Sequence, residues 1–171
     1  MSVTIARAAP ADAAAILEYL KQIGGETDNL SFGAEGLPFT PEEEAAYIAE
    51  RTDSRDGILL LAKAEDGTIL GDASLERGAR RMSHRGEFGI SVVRSHWGEG
   101  IGTRLMEKII AFARENSFEI IDLEVRSDND RAIHLYRKFG FRTLCTYPEF
   151  CKIGGEAVDY DLMVLRLKEA D

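Results

Sequence analysis

The sequence has little that would support a metal centre or a disulfide framework. Its two cysteines, Cys145 and Cys151, form no C-x-x-C pair, and its three histidines are scattered along the chain. Structural zinc sites need closely spaced cysteine and histidine ligands, so we expect no metal site. Two free thiols are typical of a reducing compartment, and we expect the protein in the cytoplasm.

Long apolar runs and an excess of basic residues are also missing. No apolar stretch approaches the ~20 residues of a bilayer-spanning helix, and the N-terminus alternates like a strand instead of forming the apolar core of a signal peptide. The formal net charge is −9. Nucleic-acid binding draws most of its affinity from basic side chains that neutralise phosphates. The sequence therefore predicts a soluble protein that binds neither a membrane nor a nucleic acid.

The composition is that of one globular domain. Apolar residues make up 44% of the chain and charged residues 30%, a balance that argues against intrinsic disorder. A length of 171 residues fits one domain, and no linker or repeat divides the chain. We therefore predict a single domain over residues 1–171.

Hydrophobic periodicity predicts a mixed α/β fold. Apolar patterns predict elements in the order β-α-α-β-β-β-α-β-α-β-β. One strand–helix–strand crossover in the middle, with strand pairs around it, indicates a partly antiparallel central sheet with flanking helices. The first helix is predicted to end at Gly24-Gly25. The last two strands are predicted over Phe141–Thr146 and Tyr160–Leu167, with a loop over about Tyr147–Val158.

A glycine-rich segment, Trp97-Gly98-Glu99-Gly100-Ile101-Gly102-Thr103, joins the predicted strand Glu87–Val93 to a helix. Glycines let the backbone approach a ligand closely and adopt positive φ. The first N–H groups of a helix lack partners, and the helix dipole adds positive charge there. The segment therefore predicts a site for phosphate oxygens, and a tight turn that binds nothing is the alternative.

This loop and the residues after it resemble the GNAT N-acetyltransferases. The family signature is arginine or glutamine, two residues, glycine, one residue, then glycine or alanine. Gly100 and Gly102 occupy the two small positions, whereas Trp97 stands where arginine or glutamine is usual. The backbone amides are unaffected by this departure, because they do not depend on that side chain.

A second motif carries the resemblance further along the chain. The family shows an asparagine, a tyrosine seven residues later and then Gly-Phe, which Asn129, Tyr136 and Gly140-Phe141 match. The resemblance is strong over residues 87–141 and extends to the order of the strands. It implies the acyl-CoA N-acyltransferase fold for the whole domain.

The resemblance implies acetyl-CoA as the co-substrate. Its pyrophosphate would lie on the loop amides, and its pantetheine arm would pair with the preceding strand. The cofactor-binding residues that it implies are Ile90, Ser91, Val92, Val93, Gly98, Glu99, Gly100, Ile101, Gly102, Thr103, Asn129 and Tyr136.

Direct transfer of the acetyl group to a primary amine is also implied by the resemblance. Tyr136 would protonate the leaving thiolate, and the N–H of Val92 would stabilise the oxyanion. An amine with a pKa of ~10.4 must first lose a proton. Glu124, in a Leu-Glu-Val-Arg stretch shared with ribosomal-protein alanine acetyltransferases, and Glu87 are the candidate bases, with an ordered water as an alternative. A core tyrosine and two surface glutamates are the structural alternatives.

The acceptor enters such folds opposite CoA, between the loop after the first helix and the loop joining the last two strands. Glu26, Asp28 and Phe32 lie in or beside the first of these loops. Carboxylates and aromatic faces attract an ammonium group, so we expect a positively charged small-molecule amine or a peptide amino terminus. Solvated loop charges are the alternative. The sequence leaves open whether the protein forms a homodimer.

Two other functions are compatible with parts of the sequence. A non-catalytic acyl-CoA sensor would keep the glycine loop and lose the acid and the base, and Tyr136 favours catalysis over it. A nucleotide-cofactor oxidoreductase would use Gly98, Gly100 and Gly102 with Asp122 about twenty residues on. Leu105 stands where that fingerprint needs its third glycine, which argues against the oxidoreductase.

Overall fold

The computed structural model describes residues 2–168, so the two ends of the predicted domain, residue 1 and residues 169–171, lie outside it. Within the described residues, the predicted order of strands and helices is confirmed. The bounds are β1 Thr4–Arg7, α1 Ala13–Glu26, α2 Pro41–Arg51, β2 Gly57–Lys63, β3 Ile69–Arg77, β4 Arg85–Val92, α3 Ile101–Glu115, β5 Ile120–Arg126, α4 Asp130–Lys138, β6 Arg142–Ile153 and β7 Glu156–Arg166.

The strands form one sheet in the order β1-β2-β3-β4-β5-β7-β6. Neighbours are antiparallel except β4 and β5, which are parallel, so the predicted mixed sheet is confirmed. On one face, Tyr19 of α1 hydrogen-bonds Ser91 of β4 at 2.7 Å. On the other, a Cβ on Gly71 of β3 would lie 3.3 Å from side chains of α3. Helices α1 and α3 therefore cover opposite faces, as side-chain alternation along a strand requires.

The first helix is longer than its glycines predicted. α1 continues through Gly24 and Gly25 to Glu26. A Cβ on Gly24 would come within 2.0 Å of the Gly33 carbonyl oxygen. The predicted helix end is wrong, because this glycine permits a close approach of the following loop and does not terminate the helix.

The predicted loop between the last two strands is also wrong, because this segment forms a long β-hairpin. β6 continues to Ile153 and β7 begins at Glu156. Gly154 and Gly155 make the turn with positive φ values of 57° and 86°. Pro148 lies within β6 and cannot donate a ladder hydrogen bond. The structure accommodates it in a register shift of the β6–β7 pair.

Candidate active site

The parallel strands β4 and β5 pair only at one end. Their register covers Arg85–Glu87 against Ile120–Asp122. On its other side, β5 pairs with β7 along its whole length. Residues 88–92 of β4 therefore have no strand partner on the side that faces β5, and the sheet is split there.

Backbone polarity at the split follows from one hydrogen bond. The N–H of Val93 donates to the carbonyl oxygen of Leu70 in β3 at 2.9 Å. Because these groups alternate in direction along a strand, the N–H and C=O groups of Ile90 and Val92 face the open edge. An extended ligand can pair with such an edge as an added strand.

A cavity of about 1220 Å³ passes through the split. The glycine loop and the start of α4 line one end, and the loop after α1 and the β6–β7 hairpin line the other. Sites for drug-sized ligands span about 300–1,000 Å³, so this cavity has room for a large cofactor and an acceptor together. Within residues 2–168, no group of histidine, cysteine or acidic side chains is arranged to hold a metal ion. None of the helices in that range has the length and apolar character of a membrane span.

Unpartnered amides line the cofactor end of the cavity. Gly98 and Gly100 have φ values of 84° and 80°, and a Cβ on either would meet no atom within 4 Å. In the described part of the chain, no acceptor takes the N–H groups of residues 98–103, and the first bonded N–H of α3 is that of Arg104. These amides form a cradle suited to phosphate oxygens.

The structure brings most of the predicted cofactor-binding residues to this cavity. Those that line it are Ile90, Ser91, Val92, Gly98, Gly100, Ile101, Gly102, Thr103, Asn129 and Tyr136. Val93 and Glu99 do not line it. Val93 is buried with its N–H directed to β3, and the carboxylate of Glu99 pairs with His96 at 3.0 Å.

The side chain of Ser91 is already engaged on the α1 face. Its hydroxyl donates to the carboxylate of Asp72 and hydrogen-bonds Tyr19 at 2.7 Å. Burial raises the pKa of Asp72 to about 6. Ser91 therefore offers a cofactor mainly its backbone.

Helix α4 presents Asn129 and Tyr136 to the cavity. The Asn129 side chain accepts from the N–H of Ala132 at 3.3 Å and so caps the N-terminus of α4. Tyr136 is 6% exposed, and its ring packs edge-on against Phe88 with the centroids 6.1 Å apart. Burial raises the pKa of its hydroxyl, so the oxygen keeps its proton at neutral pH.

Two carboxylates lie on the opposite face of the split from the tyrosine. Alternation along β4 places Glu87 on the face away from Phe88, and the register places Glu124 on the same face as Glu87. Among the described residues, neither forms an ion pair, whereas the neighbouring Asp122 is held by Arg85 at 2.6 Å. Burial, then Glu87 and Asp122, raise the pKa of Glu124. The side chain of Glu124 is thereby moved toward the pKa of an effective base.

The predicted acceptor residues are placed differently from one another. Glu26 lines the cavity, and its carboxylate accepts the backbone N–H of Arg94 at 2.7 Å. Asp28 also lines the cavity and is exposed. Phe32 packs against the core beside Gly24 and does not line the cavity.

Several residues at the acceptor end escaped the sequence analysis. They are Arg126, Cys151, Lys152 and Tyr160, whereas Phe150, which also lines the cavity, belongs to the segment that was expected to form the acceptor loop. Most of them belong to the hairpin or pair with it, since Arg126 lies opposite Tyr160 in the β5–β7 register. The adjacent glycines Gly154-Gly155 are the signal that could have found them, because such pairs favour two-residue hairpin turns.

Comparison with known proteins places this geometry in a family. A sequence model of the acetyltransferase (GNAT) family matches residues 26–141. The L-amino acid N-acetyltransferase AaaT of Escherichia coli is 34% identical over 113 residues, 64% of this chain and 69% of that protein. The N-alpha-acetyltransferase RimI of Mycobacterium tuberculosis is 36% identical over 90 residues, 52% of this chain and 55% of that protein. The chain thus matches only about half the length of this second relative.

Solved structures share the whole architecture. An acetyltransferase of the GNAT family from Streptococcus pneumoniae superposes with a TM-score of 0.93 at 28% identity, over 98% of this chain and 100% of that one. The yncA protein of Salmonella typhimurium, solved with its cofactor acetyl-CoA, superposes with a TM-score of 0.85 at 24% identity, over 100% and 97% of the two chains. At 24% identity, the similarity to the yncA protein shows that the two chains share a fold. Because the family model matches more than half of the sequence, this chain belongs to the GNAT acetyltransferase family.

Proposed function

We propose that the protein is an acetyl-CoA-dependent N-acetyltransferase that transfers the acetyl group directly to a primary amine. One observation carries the proposal. Tyr136, a protonated tyrosine, and two carboxylates that form no ion pair within residues 2–168, Glu87 and Glu124, line one cavity from opposite faces of the split. A proton donor and a proton acceptor separated in this way suit an amine and a thiolate that occupy the two faces.

The residues present fit acetyl-CoA as the co-substrate. The amide cradle of residues 98–103 suits the pyrophosphate, and the open edge at Ile90 and Val92 suits the amides of the pantetheine arm. Bound there, acetyl-CoA supplies an acetyl group activated as a thioester.

The side chains of this site account for each proton in the transfer. Glu124 or Glu87, directly or through a water, takes one proton from the ammonium group, and the free amine nitrogen then bonds to the acetyl carbonyl carbon. The N–H of Val92 faces the open edge and donates toward the oxygen on which negative charge develops. As the carbon–sulfur bond breaks, Tyr136 donates its proton to the sulfur. The proton that the nitrogen loses on becoming an amide passes to solvent, from which Tyr136 regains its own.

For the acceptor, we propose a primary amine that is positively charged in water, on a small molecule or at a peptide terminus. Glu26 is engaged with the Arg94 backbone, so the attraction for an ammonium group rests on Asp28, Glu87 and Glu124. The activities in the names of the two relatives, on L-amino acids and on alpha-amino groups, support this class. A cytoplasmic location and a homodimer stay predictions, testable by fractionation and light scattering.

The alternative functions make different predictions for this site. An acyl-CoA sensor would bind the cofactor and release no thiol in the presence of any amine. A dinucleotide-dependent oxidoreductase is not favoured. Such folds use several parallel strand pairs, whereas the described part of the sheet has one, β4–β5.

Ligand binding and turnover test the proposal together. Acetyl-CoA at 100 times its Kd should stabilise the fold by ~2.7 kcal/mol. For a chain of this size that raises Tm by about 5–10 °C, whereas NADH should leave Tm unchanged. Free thiol should then appear with a panel of amines, amino acids and peptide amino termini. Stabilisation by NADH and not by acetyl-CoA, or no thiol release with any amine, contradicts the proposal.

The base is identified by a matched pair of variants, Glu124→Gln and Glu87→Gln. We expect Glu124→Gln to lower kcat/KM by about 100-fold near pH 7, because general-base catalysis contributes about 10²–10⁴-fold. The deficit should shrink as pH rises toward the pKa of the amine, since free amine then no longer needs a base. The raised pKa of Glu124 means that wild-type activity falls as pH drops and this carboxylate gains its proton. The pH profile of kcat/KM for both variants measures this.

The Glu87→Gln variant is the internal control. It removes the same charge from the same face of the split, so an electrostatic effect on acceptor binding appears in KM for both variants. Loss of the low-pH limb in Glu87→Gln alone assigns the base to Glu87. An unchanged pH profile in both variants leaves a water as the base.

A further inference from the structure

Four arginine and lysine side chains that line the cavity make no ion pair within residues 2–168, namely Arg94, Arg131, Lys138 and Lys152. Two of them, Arg94 and Arg131, lie against Trp97. The formal net charge is −9, and a further cavity-lining cation, Arg126, is paired with Asp128 at 2.7 Å. Arg94 and Arg131 are both exposed. In an acidic protein, such arginines are available to an anionic ligand.

Trp97 organises these two arginines. The guanidinium carbons of Arg131 and Arg94 lie over its ring, 4.6 and 5.4 Å from the centroid. The indole N–H donates to the carbonyl oxygen of Val92 at 2.7 Å, which ties the ring to the end of β4. The ring is thus a fixed platform, and cation–π attraction holds both guanidinium groups against it.

We infer that Arg131 and Arg94 bind phosphate oxygens of the cofactor and that Trp97 is the positioning residue for both. The inference rests on the proposed function, because acetyl-CoA supplies the phosphates. A guanidinium group donates two parallel hydrogen bonds to a phosphate, and one already ordered on an aromatic ring loses less side-chain entropy on binding. Trp97 occupies the position at which the family signature has arginine or glutamine, and it contributes to phosphate binding by holding Arg131 and Arg94 in place.

Arg131 and Arg94 also affect how an acidic protein attracts the negatively charged cofactor. CoA carries a pyrophosphate and a separate 3′-phosphate, and a net charge of −9 repels it at long range. Arg131 and Arg94 place positive charge beside the amide cradle of residues 98–103. The contact is to phosphate oxygens, and the experiment below separates the 3′-phosphate from the pyrophosphate.

The test compares Arg131→Gln with Arg137→Gln by calorimetric titration of CoA and of 3′-dephospho-CoA. Arg137 lies on the same helix, is exposed and does not line the cavity, so its variant carries the same change of net charge. We expect Arg131→Gln to weaken CoA binding about tenfold or more, the effect of one charge-assisted hydrogen-bonded pair. Arg137→Gln should change it less than twofold. If the tenfold difference vanishes with 3′-dephospho-CoA, the contact is to the 3′-phosphate, and if it persists the contact is to the pyrophosphate.

The positioning role of Trp97 is tested by a double-mutant cycle. Trp97→Leu should weaken CoA binding, and Trp97→Leu with Arg131→Gln should be at most about twofold weaker than the worse single variant, because contacting residues couple. Trp97→Phe keeps a ring and should retain most of the affinity. Fully additive losses overturn the positioning role, and equal effects of Arg131→Gln and Arg137→Gln overturn the phosphate contact. Wild-type protein that fails to bind CoA overturns the proposed function itself, which distinguishes the two failures.

Discussion

Tyr136→Phe should lower kcat by about 100-fold and leave the Kd for acetyl-CoA within about twofold, because only a proton donor is lost and general acids contribute about 10²–10⁴-fold. The ring packs against Phe88 and Phe141 with centroids 6.1 and 5.8 Å away, and phenylalanine keeps both contacts. Thermal unfolding should therefore change little. Steady-state thiol release and titration of acetyl-CoA measure the two effects separately.

A second buried tyrosine gives the control. Tyr160 also lines the cavity and is 7% exposed, and its hydroxyl makes no hydrogen bond to another of the described residues. Tyr160→Phe removes the same atom at the acceptor end and should leave kcat unchanged. Because burial raises the pKa of Tyr136, the wild-type enzyme should show no loss of this proton donor below about pH 10, the ordinary tyrosine value. Equal kcat values for wild type and Tyr136→Phe would make that tyrosine structural.

Strands and helices could be predicted from the sequence where a single local pattern, such as apolar alternation, is clear. Apolar alternation predicts β4 and β5, and the glycines of residues 98–102 predict a turn into α3, because these signals depend on near neighbours in the chain. Gly24 is different. Its glycine serves an approach of the Gly33 carbonyl oxygen, and a tertiary contact of this kind overrides the usual meaning of glycine as a helix end.

The residues of the candidate site also fall into those that the sequence predicts and those that it does not. Tyr136 reaches the cavity because helical spacing from Asn129 fixes its direction, and both could be predicted from a motif. The engagement of Glu26 could not, because its partner is the backbone N–H of Arg94, 68 residues further along the chain. Residues 147–158 were predicted as a loop, so strand alternation could not be used to place Cys151 and Lys152 at the cavity. In the structure, the register shift of the hairpin accommodates Pro148.

Gly100→Leu should abolish detectable binding of acetyl-CoA under conditions that saturate the wild type. Gly100 lies at the start of α3 with φ of 80°, and no atom lies within 4 Å of a Cβ built there. A leucine side chain would occupy this open space above the amide cradle. Displacing the pyrophosphate from two amides, at about 1.5–3 kcal/mol for each hydrogen bond to a charged group, weakens binding by about 100-fold or more. Calorimetric titration and the loss of the Tm increase with acetyl-CoA measure this.

Gly67→Leu separates blockage of the cradle from backbone strain. Gly67 lies in the turn between β2 and β3 with φ of 87°, has equally open space at its Cβ, and does not line the cavity. A non-glycine residue in the left-handed region costs roughly 1–2 kcal/mol, so both variants should lose similar stability without ligand. Only Gly100→Leu should lose the response to acetyl-CoA, because only its side chain lies where phosphate oxygens would bind. If Gly100→Leu binds acetyl-CoA as tightly as Gly67→Leu does, the pyrophosphate is not held at this cradle.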